Sequence, residues 1–279
     1  MKNKKTLNGI SFILRWLYLS FFILVSTGPL LWIIMSSFKT NKEILASAFA
    51  LPSKLGLSGY IAALEFAPIF KFYGNSLIIA IASTLLNILI VSMAAYILAR
   101  CKFRGKTFLT LILSSSLLIP VSALLMPIYI IMTRIGLYDT KTGLILVYAA
   151  LGLPTSLFVI KSYFQGIPVE LEEAAYLDGA GFIRTYFTII FPIAKSGLVT
   201  AAILQFLTSW NEFMFALILT KSNSARTLPM ALNYFTAQFS FNYTAMFAAL
   251  AMVIIPSILI YTILQEQITE SMVAGSVKG

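Results

Sequence analysis

Residues 171–197 read LEEAAYLDGAGFIRTYFTIIFPIAKSG, and this stretch interrupts an otherwise very apolar chain. It lies between two long apolar segments, and its acidic residues make it too polar to sit in the hydrocarbon of a bilayer. Small residues recur in it at helical spacing. Because small side chains allow another backbone to approach closely, the stretch predicts a surface for contact with another molecule.

The composition places the chain in the class of integral membrane proteins. Of its 279 residues, 59% are hydrophobic and 11% are charged, whereas a soluble domain carries about 25% charged residues. The chain has one cysteine and no histidine, which excludes a disulfide framework and a Cys/His metal site within one chain. The net charge of +10 comes from residues that flank apolar segments. We therefore expect these residues to interact with lipid headgroups and not with nucleic acid.

Six segments are apolar enough to cross a hydrocarbon core of ~30 Å, which takes about 20 helical residues. They lie near residues 13–36, 74–98, 107–132, 142–162, 194–219 and 244–264. Helices are required because the backbone must satisfy its own hydrogen bonds in lipid. We therefore predict an all-α membrane protein with six spans in a single transmembrane domain, residues 1–279. Four prolines are expected to kink its spans and to supply hinge points: Pro120, Pro127, Pro154 and Pro256.

The basic residues predict the orientation of the spans. Twelve of the 20 lysines and arginines fall on one side of the predicted membrane and eight on the other. The positive-inside rule then places both termini, the loop 163–193 and the tail 265–279 in the cytoplasm. The longest outer segment is residues 37–73. The chain is therefore expected to be a multi-pass protein of the cell membrane.

The inner loop 163–193 is predicted to be a helix-turn-helix element. A helix is expected over residues 169–180, after Pro168, with Gly181 ending it. A second short helix is expected over Phe182–Phe191, stopped by Pro192. The inner loop is therefore expected to be an ordered element at the membrane face and not a flexible linker.

The first of these helices is predicted to present a docking face. Leu171, Ala174, Ala175 and Asp178 follow the i, i+3, i+4, i+7 spacing of one helix face. The glutamates at 170, 172 and 173 crowd the first turns, where the helix dipole favours carboxylates, and they can also pair with cations on a partner. An amphipathic helix resting on lipid headgroups would instead carry lysine and arginine on its polar face. The acidic face therefore favours docking to a protein.

Several motifs resemble the permease subunits of ATP-binding-cassette (ABC) importers. Glu173-Ala174-Ala175, Asp178-Gly179-Ala180, Ile189 and Pro192 are similar to the EAA loop of that family. The resemblance extends over nearly the whole chain and is closest to the six-span subunit of the carbohydrate, maltose-type branch. It is carried further by these segments: SFKTNKEI after span one, Asn75-Ser76, Ala94-Ala95-Tyr96 to Ala99-Arg100, Trp210-Asn211-Glu212-Phe213 and the tail Ala274–Gly279.

The resemblance implies a role and a set of partners. The EAA loop would fit a cleft on a cytoplasmic ATPase dimer, and ATP-driven closure of that dimer would switch the helices between inward-facing and outward-facing states. The other partners would be a second, different permease chain, an extracytoplasmic solute-binding protein and a sugar. The implied coupling residues are Glu170, Glu172, Glu173, Ala174, Ala175, Asp178, Gly179, Ala180 and Gly181. The implied tail contacts with the ATPase are Gly275, Ser276, Val277, Lys278 and Gly279.

The energy source is expected to lie on the partner. The sequence contains no G-x-x-x-x-G-K-[ST] phosphate loop. Gly105-Lys106-Thr107 imitates its end, but Arg100 stands at the first glycine position. We therefore expect no cofactor on this chain and no enzymatic activity of its own, with ATP and Mg²⁺ bound by the ATPase.

Polar residues within the spans are candidates for the solute pathway. A sugar needs hydrogen-bonding groups together with a flat apolar face. The candidates are Asn87, Ser115, Ser122, Tyr129, Trp210, Asn211 and Glu212. Serines in spans also commonly pack between helices or bond to their own backbone. Glu212 is either a functional ionisable group within a span or a solvated residue near the outer interface.

Two other classes of transporter remain open alternatives. An ion-coupled secondary transporter normally requires buried titratable relays or inverted repeats, and Glu212 is almost the only candidate for such a relay. An ABC importer permease for a solute other than a sugar would share the EAA loop. A membrane scaffold would not need polar residues inside its spans.

Overall fold

A computed structural model describes residues 2–236 and 242–276, and that part of the chain is helical without any β-strand. The first half contains α1 (Lys2–Ser36), α2 (Asn41–Ala46), α3 (Ser58–Phe66), α4 (Ile69–Arg100), α5 (Lys106–Ser115), α6 (Leu125–Arg134) and α7 (Lys141–Leu151). The second half contains α8 (Leu153–Gly166), α9 (Glu170–Leu177), α10 (Phe182–Thr185), α11 (Phe191–Ile193), α12 (Lys195–Asn211), α13 (Met214–Leu219), α14 (Asn233–Thr236) and α15 (Tyr243–Ser276). Short 3₁₀ turns cover Ser116–Leu118, Val121–Leu124 and Leu228–Leu232.

Three of these helices are long and apolar enough to cross a membrane unaided. They are Leu14–Ser36 within α1, all of α4, and Tyr243–Ile263 within α15. Three bent pairs of helices also meet the length and composition test when each pair is taken as one span. The described residues therefore hold three candidate spans, or up to six when the bent pairs are counted.

Helix α4 is the centre of the bundle that places the functional residues. It packs against α7, α8 and α12. Buried apolar side chains of α4, α8, α12 and the turn before α11 form a core, which includes Tyr96, Phe164 and Ile190. Its 32 residues span about 48 Å at 1.5 Å per residue. Because α4 is continuous over that length, residues near its two ends belong to opposite ends of the bundle.

Two of the helix breaks coincide with prolines, as the sequence predicted. Lys106–Leu118 and Val121–Arg134 meet at 99° around Pro120. Helices α7 and α8 meet at 49° at Gly152, with Pro154 in the first turn of α8. Proline lacks the N–H that would continue the helical hydrogen bonds. In contrast, Pro256 lies inside α15 without ending it.

Side-chain amides satisfy the backbone at the break between α7 and α8. The Asn87 Nδ2 donates to the Ala149 carbonyl at 2.8 Å, and the Gln205 Nε2 donates to the Tyr148 carbonyl at 2.9 Å. These amides come from α4 and α12. The Tyr148 carbonyl also accepts the Gly152 N–H at 3.3 Å. In an apolar environment an unpaired carbonyl is costly, so the amides from neighbouring helices stabilise the bend.

The predicted span over 194–219 is not one helix, so this prediction is wrong in its continuity. Helix α12 ends at Asn211, and α13 begins at Met214. The Glu212 carboxylate accepts hydrogen bonds from the N–H groups of Phe215 and Ala216 at 2.8 and 3.0 Å. A carboxylate that takes up these N–H groups starts a new helix in place of continuing the old one.

Backbone contacts divide the chain into two compact units. The first unit contains the residues up to Pro68 and the start of α15 up to Ile255, and the second contains Ile69–Met230 and α15 from Pro256. Within the first unit, the Asn41 Oδ1 accepts hydrogen bonds from the Thr244 N–H and hydroxyl at 2.9 and 3.0 Å. A Cβ at Gly59 would lie 2.8 Å from the Thr244 carbonyl oxygen, so only glycine permits this approach of α3 to α15.

Asp139 fixes the connection between α6 and α7 to the segment after α13. Its carboxylate accepts hydrogen bonds from the N–H groups of Lys221 and Ser222 at 2.8 and 2.9 Å, and its own N–H donates to the Leu219 carbonyl. Burial raises the pKa of Asp139, but these N–H donors outweigh it and hold the pKa below its usual value. Asp139 has φ 58°, a left-handed conformation that aspartate and asparagine tolerate.

Two buried residues near the start of α4 hold the same segment. The Asn75 Nδ2 donates to the carbonyls of Asn223 and Arg226 at 3.2 and 2.8 Å. The Ser76 hydroxyl accepts from the Leu228 N–H at 2.7 Å. The Asn-Ser pair that the sequence singled out is therefore a structural attachment for residues 223–228.

We predict that Asp139→Asn loosens the segment after α13. A neutral amide oxygen accepts hydrogen bonds more weakly than a carboxylate, so exchange of the Lys221 and Ser222 amides should accelerate roughly fivefold at pH 7. Because the pKa of Asp139 is lowered, the wild-type protection is complete above the unfolded pKa. This protection is lost as the pH falls through the pKa that Asp139 has in the folded protein. Hydrogen exchange with mass spectrometry measures both effects.

The exposed carboxylate of Glu65 in α3 provides the control. Glu65→Gln should leave exchange at Lys221 and Ser222 unchanged. Equal exchange of these amides in wild type and Asp139→Asn would contradict the assigned role of the carboxylate.

Candidate functional site: the EAA segment and its attachment to the bundle

Helix α9 is shorter than the sequence predicted. It runs over Glu170–Leu177 and not over 169–180, and Gly179 ends it in place of Gly181. Gly179 has φ 80°, and the Ala180 N–H donates to the Ala175 carbonyl while the Gly179 N–H donates to the Tyr176 carbonyl. This pair of bonds is the Schellman motif, which favours glycine at the left-handed position. Gly181 has φ −77° and lies in extended backbone.

The predicted docking face of α9 is only partly correct. Leu171, Ala174 and Asp178 are exposed, but Ala175 is 4% exposed and faces the bundle. Glu172 is also buried, at 5% exposure, so it does not offer its charge to a partner as the sequence analysis expected. Spacing alone defines a helix face but does not tell which face is covered.

Glu172 is held by two residues from the end of α4. The Arg100 Nε lies 2.6 Å from the Glu172 Oε1, at an angle away from that of a linear hydrogen bond, and the Tyr96 hydroxyl donates to Glu172 Oε2 at 3.0 Å. The Arg100 Nη2 also donates to the Ile167 carbonyl, just before α9. This cluster of Tyr96, Arg100 and Glu172 is termed the latch.

The latch is a buried ion pair that connects two elements. Arg100 and Glu172 side chains are 11% and 6% exposed. A buried pair carries a desolvation cost and adds little stability over an apolar pair, but removal of one partner leaves an uncompensated charge. The latch therefore fixes the position of α9 against α4 because neither charge is free to leave its partner.

The second helix of the loop ends at Ile193, one residue past the predicted stop at Pro192. A π-helical turn over Tyr186–Ile190 joins α10 to α11, and the Phe191 N–H donates to the Tyr186 carbonyl. A π-turn is wider than an α-turn, and here it immediately precedes the proline. The chain then bends by 75° at Ala194 into α12.

Aromatic rings attach this second helix to α4 as well. The Tyr96 ring lies 5.0 Å from the rings of both Phe182 and Tyr186. The Tyr186 hydroxyl donates to the Ser92 hydroxyl at 2.9 Å. Both helices of the loop therefore contact the last two turns of α4, and a displacement of the loop acts directly on that helix.

The surface that α9 and its turn leave open is acidic and contains little side-chain bulk. Leu177 is its most exposed apolar residue, at 90%. The exposed predicted coupling residues are Glu170, Glu173, Ala174, Asp178, Gly179 and Gly181, while Ala180 is partly exposed. Seven of the nine predicted coupling residues therefore reach the surface together, and the other two face the bundle.

The predicted tail contacts lie at the end of the described chain. Gly275 and Ser276 belong to the last turn of α15, which continues well past the predicted span end at residue 264. Val277, Lys278 and Gly279 lie outside the described residues. Their contact with an ATPase remains a prediction.

Glu212, a candidate pathway residue, is occupied by bonds within the chain. Besides the N–H groups at the start of α13, its carboxylate accepts the Tyr148 hydroxyl at 2.7 Å. Glu212 is partly exposed, and its role in the solute pathway stays a prediction. The geometry assigns Glu212 to the break between α12 and α13.

The remaining pathway candidates do not form one cluster. Trp210 donates to the Ser257 hydroxyl at 3.2 Å, and Asn211 accepts from the same serine. Tyr129 packs edge to face on Tyr138 at 5.7 Å. Ser115 and Ser122 are exposed, and Asn87 supports the break between α7 and α8. Within residues 2–236 and 242–276, no hydrogen bond or ring contact joins these groups to one another.

Sequence reasoning missed the two residues that hold the loop. Tyr96 and Arg100 were part of the family resemblance, but no role followed from their spacing. They lie one helical turn apart at the end of span two, so the sequence could have predicted that they share one face of the helix. Their partner Glu172 is more than 70 residues away in the chain, and only the fold brings it to them.

The comparison with protein families identifies the chain. Residues 91–273 match the family described as "Binding-protein-dependent transport system inner membrane component". This range includes the latch, α9 and its turn. The chain belongs to this family, which confirms the family predicted from the EAA sequence. It is a membrane component of a transport system and not an enzyme.

The most informative relatives cover nearly the full length of the chain. The diacetylchitobiose uptake system permease of Streptomyces coelicolor is 34% identical and is aligned over 89% of this chain and 83% of its own length. The trehalose transport system permease of Mycobacterium tuberculosis is 36% identical over 90% of this chain and 92% of its own length. Among solved structures, a bacterial ABC transporter that imports the acidic polysaccharide alginate has a similar fold. Its TM-score is 0.81, with 22% identity over 92% of this chain and 96% of the matched one.

We predict that Glu172→Gln destabilises the attachment of α9. The variant leaves the buried Arg100 charge without its partner, which is expected to cost about 3–5 kcal/mol at this site. The matched control is Glu173→Gln, the same change at the next, exposed residue. Hydrogen exchange of the α9 amides should accelerate strongly in the first variant and stay unchanged in the second.

We predict that Gly179→Ala weakens the end of α9 through the backbone alone. A Cβ at Gly179 would meet no atom within 4 Å, so the cost comes only from the left-handed conformation, about 1–2 kcal/mol. Gly181→Ala is the control, because its Cβ also meets open space and its backbone is extended. Faster exchange of the Ala180 amide in Gly179→Ala only would confirm this; equal effects of both variants would contradict it.

Proposed function

We propose that this chain is a permease subunit of an ABC importer that takes up a sugar or oligosaccharide. Family membership makes the chain a transport component, and the named relatives carry diacetylchitobiose and trehalose. The observation that carries the proposal is the exposed acidic surface of α9 fixed by the latch to α4. A surface held so firmly to a bundle helix transmits force to it.

The coupling proceeds through rigid contacts. An ATPase dimer binds the exposed surface around Glu173, Leu177 and Gly179, with ATP and Mg²⁺ held on that partner. When the dimer closes, α9 moves with it, and the latch transfers the displacement to the end of α4. Because α4 packs against α7, α8 and α12, the bundle changes between two states of access. The C-terminal residues Gly275–Gly279 extend this contact towards the ATPase.

The orientation and partners follow from the same assignment. The chain crosses the cell membrane six times. Two of its spans are the bent pairs over residues 106–134 and 141–166, and the fifth comprises α12 and α13. Both termini and α9 lie in the cytoplasm, in agreement with the basic residues. Residues 37–73 lie outside. The other half of the pathway is a second, different permease chain, and a solute-binding protein delivers the sugar from outside.

The geometry supports ATP coupling over an ion-coupled mechanism. An ion-coupled transporter needs a titratable group free to bind and release its ion. The Glu212 carboxylate already accepts three hydrogen bonds from its own chain. It is therefore a poor candidate for such a relay.

We predict that Glu173→Lys detaches the ATPase without removing the chain from the membrane. The variant reverses an exposed charge on α9 and leaves the buried latch intact. The matched control is Glu65→Lys, the same reversal on α3 at the opposite predicted side of the membrane. After mild solubilisation, an affinity-tagged chain should recover the ATPase in wild type and Glu65→Lys, and lose it in Glu173→Lys.

Uptake by the assembled transporter tests the solute class in the same preparation. Proteoliposomes are supplied with ATP and the solute-binding protein that the tagged chain recovers. Radiolabelled diacetylchitobiose, trehalose and arabinooligosaccharides are offered in turn, with methionine as a non-sugar control. ATP-dependent uptake of a sugar supports the proposal, whereas retention of the ATPase by Glu173→Lys with normal uptake would refute the coupling role of α9.

A further inference from the structure

A small polar notch opens at the break between α7 and α8. It has a volume of about 60 Å³ and lies between α8 and α12. Its lining residues are Gly152, Thr155, Ser156, Val159, Ala201, Leu204, Gln205 and Thr208. Four of the eight lining residues carry a hydroxyl or an amide, in a part of the chain that is otherwise strongly apolar.

Gln205 is fixed in this notch by its own amide nitrogen. The Nε2 donates to the Tyr148 carbonyl and to the Ser209 hydroxyl at 2.9 and 3.1 Å, and the residue is 3% exposed. A Cβ at Gly152 would lie 1.6 Å from the Gln205 Oε1, so the amide rests directly on the glycine backbone. The amide oxygen is thereby held at the wall of the notch.

The notch presents oxygens that the described chain leaves unpaired. Among the described residues, neither the Gln205 Oε1 nor the Ser156 hydroxyl has a hydrogen-bond partner, although Ser156 is only 3% exposed. The Thr208 hydroxyl donates to the Leu204 carbonyl and keeps its lone pairs as acceptors. Neither the Gln205 oxygen nor the Ser156 oxygen is among the fully buried unpaired atoms of the described residues. Both therefore open into the notch, where they can bind a polar ligand.

The notch lies halfway along the bundle. Gln205 bonds to the Tyr148 carbonyl and Asn87 bonds to the adjacent Ala149 carbonyl. Asn87 is near the midpoint between Asn75 and Arg100 on α4, which are about 38 Å apart at 1.5 Å per residue. In transporters, interrupted helices near the middle of the membrane form substrate sites.

The mouth of the notch is open and polar. Thr155 and Thr208 are both exposed at its edge. The Thr208 hydroxyl is satisfied by the Leu204 carbonyl, but the Thr155 hydroxyl has no partner among the described residues. Lipid tails would offer it none, so the mouth faces a polar space. Its volume holds about two water-sized groups, which is too small for a sugar ring but sufficient for one hydroxyl or hydroxymethyl group.

We infer that this notch is a hydroxyl-binding subsite on the translocation pathway, with Ser156 and Gln205 as the groups that contact the passing sugar. The inference rests on the proposed function, because it assumes a sugar in transit. A serine hydroxyl donates to and accepts from an alcohol, and an amide oxygen accepts from it. The subsite engages one hydroxyl at a time and leaves the selection of the sugar to the binding protein.

Thiol labelling tests whether the notch faces water. In a Cys101→Ser background, Thr155→Cys is compared with Thr262→Cys, another exposed span threonine, which lies among the exposed apolar residues Leu259, Tyr261 and Ile263. The probe is the membrane-impermeant cation trimethylammonium-ethyl methanethiosulfonate, applied to both faces of nanodiscs that hold the complete transporter. We expect faster labelling at position 155, and labelling there should block uptake in proteoliposomes. Labelling no faster at 155 than at 262 would overturn the subsite.

Removal of the serine hydroxyl tests the contact with the sugar. Ser156→Ala breaks no hydrogen bond among the described residues, so the amount of folded transporter should not change. The maximal rate of sugar uptake should fall roughly threefold to tenfold, the size expected for one lost neutral hydrogen bond. The apparent KM should stay constant because the binding protein sets it. Ser114→Ala, which deletes a hydroxyl bonded within α5, should transport normally.

The outcomes separate this inference from the proposed function. Normal uptake by Ser156→Ala, or an unlabelled Thr155→Cys in a transporter that retains its ATPase and moves sugar, overturns the subsite and leaves the importer intact. Failure of the wild-type chain to recover an ATPase would instead refute the proposed function. Labelling of Thr155→Cys still reports in that case whether the notch opens to water.

Discussion

The contact between Arg100 and Glu172 is the interaction on which the functional arrangement depends. One charge ends a long bundle helix, and the other lies on a short helix in the EAA segment. Burial makes either charge costly without its partner, and this cost opposes separation of the two helices. Tyr96 strengthens the arrangement because its hydroxyl bonds to the same carboxylate and its ring packs on the following helix. In the proposed mechanism, a flexible loop bearing the same acids would bind a partner but would not move α4.

Helix α4 relates three polar sites along its length. Asn75 and Ser76 near its start hold the segment after α13, Asn87 in its middle supports the bend at Gly152, and Arg100 at its end holds α9. Each of these side chains satisfies a backbone or charged group that would be costly to leave unpaired in an apolar bundle. The polar residues of this helix therefore connect it to other elements through hydrogen bonds and an ion pair. The notch differs from them because its oxygens remain available.

Much of the fold could be predicted from the sequence because the bilayer restricts the choice so strongly. Apolar length identified the helical segments, and prolines marked the bends at 120 and 154. The EAA segment is predicted to be a docking element from its acids and small residues. Errors arose where local signals compete. Gly179 and Gly181 are both typical of a helix end. Glu212 within an apolar run indicates a functional group, but in the structure it accepts an N–H in the first turn of α13. Such choices depend on backbone conformation, which composition does not fix.

The sequence by itself determined the class of protein, the helical segments and the position of the EAA segment, because hydropathy and helix periodicity act over neighbouring residues. Only the tertiary structure decided which glutamate is buried. Glu172 and Glu173 are adjacent and chemically identical, yet one is paired with Arg100 and the other is exposed. The same holds for the notch, where Gln205 meets Gly152 across more than 50 residues of chain. Contacts between distant residues depend on how helices pack, and packing follows from the shapes of all the side chains together.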